Sequence, residues 1–241
     1  MNIDCPHCGT RLRPELTHCL GCGWKIRLSQ ILVQPHGVEK PAFSLPASDI
    51  YYLFADHFLE PVTGDPEIHH VEHLISDRSP VRKEALVLGL CRVSFVWLAV
   101  SGHVDLQLIA KPLTIARARS VNVVPKGMYK VPAGSLEGRF LECIYDRRQG
   151  FPVEDTIRKM MGFWYQGDPY NWFLQIVKQH LLASPCAPGG ARIDSQQLSK
   201  LEQQVETVKT MLNSFAVAQP SLVAALLESI QRGLDNKKGM K

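Results

Sequence analysis

The chain has 241 residues, 45% of them apolar and 21% charged, with a formal net charge of +4. That length accommodates a small metal module plus one domain or two small domains, and that apolar content marks a globular chain rather than a disordered one. The longest apolar run, 85–100, is interrupted by Arg92 and is too short to cross a bilayer, which argues against a membrane-spanning protein. The charge is uneven, with eight acids against two bases over 39–80, then eleven bases against five acids over 81–150. A chain-wide nucleic-acid surface is therefore not expected, whereas a local basic patch in the middle is compatible with an anionic partner.

The first element is a cluster of four cysteines, CPHCGTRLRPELTHCLGC, spanning residues 5–22. Cys5 and Cys8 form one pair and Cys19 and Cys22 the other, with turn residues Pro6 and Gly9 in the first and Gly21 and Gly23 around the second. Two such turns facing each other form a tetrahedral cage of four thiolates, which suits Zn2+ or, less often, iron. So short a segment cannot bury a core, so the metal must supply its folding energy. With four thiolates present no ligand position is left for substrate, and the site is structural. His7 and His18 are spare nearby ligands. The pattern resembles the zinc-ribbon knuckles at the ends of many bacterial and archaeal proteins. That resemblance implies a module that binds protein or nucleic acid. Thiolates with no secretory signal point to a reducing compartment, the cytoplasm.

The remaining elements follow in order. Residues 1–28 form the ribbon and 29–48 a proline-bearing linker. The run from Ala47 to Pro61 predicts a short helix capped by Ser48 or Asp49, and a second is expected over 66–76. Ser79-Pro80 opens a long helix with apolar residues at Val81, Ala85, Leu88, Phe95, Leu98 and Ala99, ended by Gly102. Strands are expected from Val104, Leu106 and Leu108 and again over 120–124. Long helix, glycine, strand, loop and strand is the order that ends a winged-helix unit. Helices are expected over 135–148, 152–162 and 168–183, the last capped by Asp168 with Pro169 in its first turn. Together, 49–187 form a mainly helical body with winged-helix-like units.

Residues 193–236 form a helical tail. Leu198, Leu201, Val205, Val208, Leu212 and Phe215 are spaced 3, 4, 3, 4, 3, a heptad seam of nearly three repeats. Asp194 and Gln197 offer a capping box. Pro220 breaks the seam before a second amphipathic helix over 221–234. The tail is either a hairpin packed on its own body or a coiled-coil seam that self-associates through 194–216. The expected fold is mainly α with a small β component.

Three chemistries compete. His69, Glu72 and His73 match the His-x-x-Glu-His motif of inverted zinc proteases, which on a helix puts two histidines on one face with Glu72 as general base. Glu137 or Glu142 would supply the third ligand, but the flanks do not resemble the pitrilysin-type family. The second is nucleic-acid binding by a zinc ribbon beside winged-helix units, with ARARS (116–120) on the wing. The third is an adaptor. From about 84 to 187, FVWLAVSGHVDLQL, then VNVVPKG, then LEGRFLECIYD resemble in element order the Golgi phosphoprotein family of helical phosphoinositide-binding adaptors. That resemblance implies anionic contacts at Arg117, Arg119 and Lys126. Among these, the sequence favours a non-enzymatic adaptor or assembly subunit holding one structural Zn2+ at Cys5, Cys8, Cys19 and Cys22 and binding protein partners in a larger cytoplasmic complex.

Overall fold

A computed structural model describes residues 3–4, 11–12, 45–62, 71–73, 80–110, 119–126, 131–145, 147, 149–162, 167–184 and 195–235. The chain divides into two compact units, 1–39 and 40–241. In the first, β1 (Ile3–Asp4) pairs antiparallel with β2 (Arg11–Leu12), Ile3 opposite Leu12 and Asp4 opposite Arg11. Cys5, Cys8, Cys19 and Cys22 lie outside the described residues.

The second unit is mostly helical, with seven α-helices among the described residues. Helix α1 (Ala47–Leu53) leads into one 3-10 turn, Ala55–His57. It starts directly after Pro46, so Ser48 and Asp49 are not caps as expected. Both are inside the first turn and fully buried. The helix expected over 66–76 is also corrected. Val71–His73 is a strand, β3, paired antiparallel with β4 (Pro80–Arg82), with Glu72 opposite Val81. Pro80, which has no N–H to donate, is tolerated as the first residue of its strand, and its carbonyl accepts from Val62 N at 2.8 Å. The long helix α2 therefore begins at Lys83, not at Pro80, and runs to Val100.

Helix α2 is the hub. Leu86, Val87, Leu90, Cys91, Val93, Phe95, Val96 and Leu98 are all buried, and no residue of the helix is fully exposed. A helix apolar all round has to be enclosed by neighbours. It ends as the sequence predicts. Gly102 has φ +78°, its N–H reaches Ala99 O, and His103 N reaches Leu98 O at 2.9 Å. Those two bonds make a Schellman closure, which needs a left-handed residue at the glycine. Strand β5 (Val104–Ala110) then pairs antiparallel with β6 (Arg119–Pro125), Val104 opposite Pro125. Val104 and Leu106 point into the core, and so do Val121 and Val123 on β6. A strand the sequence did not suggest, β7 (Phe151–Pro152), adds to the other edge of β6.

Helix α3 (Leu136–Ile144) is capped by Ser135, whose hydroxyl accepts from Gly138 N at 3.1 Å. It stops at Ile144, short of the expected 148. Helix α4 (Val153–Met161) follows, then α5 (Pro169–Ala183), whose cap Asp168 accepts from Tyr170 N at 3.0 Å.

The last two helices, α6 (Ser195–Ala218) and α7 (Pro220–Leu234), turn by 111° at Gln219. The described part of the heptad seam, 201–215, packs within the chain, and the Leu198 side chain lies outside the described residues. Leu201, Val205, Val208 and Leu212 are buried and Phe215 half-buried in the core shared with α1, α2 and α7. Helix α7 in turn packs on α4 and β6. At their closest approach Gly233 faces Ile157, and a Cβ there would sit 2.9 Å from the isoleucine Cβ. No single helix among the described residues is long and apolar enough to cross a membrane.

Candidate functional site

The expected chemical residues do not converge. His69 and Arg117 lie outside the described residues. The i, i+4 arrangement that a helical His-x-x-Glu-His site requires does not exist where 71–73 is extended. Glu72 is also occupied, since its carboxylate accepts from the Tyr52 hydroxyl at 3.1 Å and is ion-paired with Lys178. Glu137, a proposed third ligand, is fully buried on α3, while Glu142 faces solvent. Among the described residues no group of three His, Cys, Asp or Glu side chains is arranged to hold a metal. Arg119 and Lys126 are exposed at opposite ends of β6, seven residues or about 23 Å apart at strand rise, and so form no single patch. Lys126 stands 3.8 Å from the Asp105 carboxylate, and Arg119 lends its carbonyl to the Arg232 guanidinium at 2.8 Å.

The structure instead gathers a polar cluster where α1, α3 and α5 meet. Ser48 and Asp49 come from the first turn of α1, Glu137 from the first turn of α3 and His180 from the last turn of α5. Asp49 Oδ2 lies 2.6 Å from His180 Nδ1. Glu137 accepts from Ser48 on both oxygens, Oε1 from the backbone N–H and Oε2 from the hydroxyl, each at 2.8 Å. Asp49, Glu137 and Ser48 have no exposed surface.

Burial without full compensation sets the charges. Asp49 Oδ1 has no hydrogen-bond partner. Desolvation raises the Asp49 carboxyl above its ordinary range, against the pull of the His180 contact. Desolvation, with the Asp49 charge adding to it, pushes Glu137 up to about 7, although both Ser48 bonds favour its ionised form. His180 is raised too, first by its bond to Asp49, with the Asp49 and Glu137 charges adding and burial opposing. Asp49 thus holds the imidazole directly, Ser48 holds Glu137, and the charges of the three groups act on one another.

The cluster is open on one side. A cavity of about 260 Å³ is lined by Leu45, Pro46, Pro132, Ala133, His180 and Ser184, with Ala183 completing the wall. With Nδ1 committed to Asp49, the opposite ring edge faces the 132–134 turn. His180 Cδ2 is 3.9 Å from where a Cβ on Gly134 would stand. The imidazole is therefore oriented by a buried acid and reached through the cavity, which allows proton exchange with solvent.

Each of these residues looks ordinary in the sequence. Ser48 and Asp49 read as caps, Glu137 as an acid favoured near a helix N-terminus and His180 as a base favoured near a C-terminus. Only the spatial convergence of three helices distinguishes them. Comparison with known proteins returns no family model, no curated relative and no solved structure that matches the chain.

Proposed function

We propose that this chain is a non-enzymatic adaptor or assembly subunit of a cytoplasmic complex, with a structural zinc ribbon as its handle and a helical body as its scaffold. The observation that carries the reading is the β1–β2 pairing. Asp4 opposite Arg11 closes a six-residue segment that contains both Cys5 and Cys8, the spacing at which a knuckle presents two thiolates to one metal. Cys19 and Cys22 would complete the cage. Binding would then be folding for residues 1–28, since a structural Zn2+ supplies the energy that so small a segment cannot draw from a core. The body supports a scaffold role through its packing. The seam of α6 is consumed by α1, α2 and α7, so partner binding through 194–216 would use its polar outer face.

The test is capture of partners from the native host with the full chain and with Cys19→Ser. The reading expects the variant to keep the helicity of 40–241 and to lose zinc together with its partners. Unchanged partner capture without the metal contradicts it.

A nucleic-acid reading rests on the exposed Arg119 at one end of β6, beside an Arg232 guanidinium that also faces Glu154 and Glu228. It predicts a salt-dependent gel shift that weakens on Arg119→Ala and Arg117→Ala.

A further inference from the structure

We propose that the Ser48–Asp49–Glu137–His180 cluster is a proton-controlled latch that holds α1 against α3 and α5, closing when it is protonated and loosening as pH rises across neutrality.

The geometry makes α1 dependent on this cluster. The helix has only seven residues, too few to be stable by itself in water. Its first turn has no side-chain cap. Ser48 N, one of the donors a helix start leaves unpaired, is satisfied by Glu137 from α3. Asp49, two residues into the helix, is held by His180 from α5. One end of the helix is therefore attached through four side chains, three of which titrate.

The three titrating groups act in the same direction. A carboxyl raised in the closed state binds its proton more tightly there than when opened to water. Its protonation therefore favours closure, and that advantage fades as pH climbs to the raised value. This holds for Glu137, displaced from 4.5 to about 7 by burial and by Asp49, and for Asp49. His180 is raised as well, so its stabilisation is present below the ordinary imidazole value and is lost as pH rises through the higher one. At low pH the cluster can hold one carboxylate, one imidazolium and one neutral carboxyl, a neutral set. At high pH it confines two carboxylates beside one histidine.

The charged groups acting on the cluster are its own members. The others that face α1 lie elsewhere on it. Arg92 of α2 acts on Tyr51, and Glu72 of β3, paired with Lys178 of α5, holds Tyr52. Both tyrosines are pushed above their ordinary range by burial, Tyr51 to about 12, and stay neutral throughout the window. The cavity beside His180 gives protons a route in. Release of α1 would uncover the parts of α2 and α6 that it now covers.

The experiment is hydrogen exchange by mass spectrometry on the full chain between about pH 5.5 and 8, corrected for the intrinsic rate, with α6 as internal reference. For Glu137 alone, carboxyl values of 4.5 open and about 7 closed give a loss of α1 protection of about 30-fold over that range. Protection over 205–212 should fall less than that of α1. Glu137→Gln, which keeps shape and neutrality, should flatten most of the dependence, and Asp49→Asn should shift the His180 imidazole titration downward by NMR. Protection of α1 that is constant or rises with pH relative to α6 overturns the latch, as does a Glu137→Gln variant that retains the wild-type pH dependence.

Discussion

Leu201 lies near the start of the α6 seam with 3% of its surface exposed, facing the core shared with the body helices. Replacing it with alanine removes a buried isobutyl group from a site enclosed by rigid helices, which costs about 2–5 kcal/mol because the lost transfer energy is joined by a cavity. A domain of this size is stable by roughly 5–15 kcal/mol, so the change is a large share of the total. With an m-value of about 2–3 kcal/mol per M urea, a loss of ~3 kcal/mol moves the midpoint down by about 1–1.5 M. Because Leu201 shares one core with α1, α2 and α7, the whole of 40–241 should unfold together. Helicity by circular dichroism and tryptophan fluorescence should therefore shift by the same amount. Loss of only the α6 share of helicity, with the remaining transition unmoved, would refute the shared core and restore a separate tail. A fall in mass by light scattering, with the midpoint unmoved, would show that the seam joins subunits.

Gly102→Ala should cost about 1 kcal/mol, read as a lower melting temperature, because φ +78° is left-handed, while nothing within 4 Å would meet the new Cβ. Glu72→Gln should lower stability by roughly 1–3 kcal/mol through the loss of charge-assisted bonding to Lys178 and Tyr52, and the proposed adaptor role expects a peptidase assay to read the same for parent and variant. A peptidase activity that disappears in this variant would reinstate the zinc-protease reading.

Much of the body is legible from local rules. Gly102 ends α2 because only a glycine-type backbone closes that turn, and Asp168-Pro169 opens α5 because cap and first-turn chemistry coincide there. The apolar alternation at Val104 and Leu106 marks β5 for the same local reason. The sequence is misleading where local signals are ambiguous. Val71, Glu72 and His73 have no helical periodicity of their own, and pairing with 80–82 decides for a strand. Phe151–Pro152 is too short to announce itself and becomes a strand only because the edge of β6 is available. The seam over 198–215 is visible as periodicity, but periodicity does not name the surface that covers it. The Asp49–His180–Glu137 cluster is hidden for a further reason. Its members are 43 and 88 residues apart along the chain and meet only through the packing of α1, α3 and α5.

The most direct measurement of the central claim is metal content. Full-length protein purified under reducing conditions should carry one Zn2+ per chain by elemental analysis, released on titration of four thiols and lost in Cys5→Ser, Cys8→Ser, Cys19→Ser or Cys22→Ser. Protein that is folded over 40–241 and holds neither zinc nor iron would contradict the account.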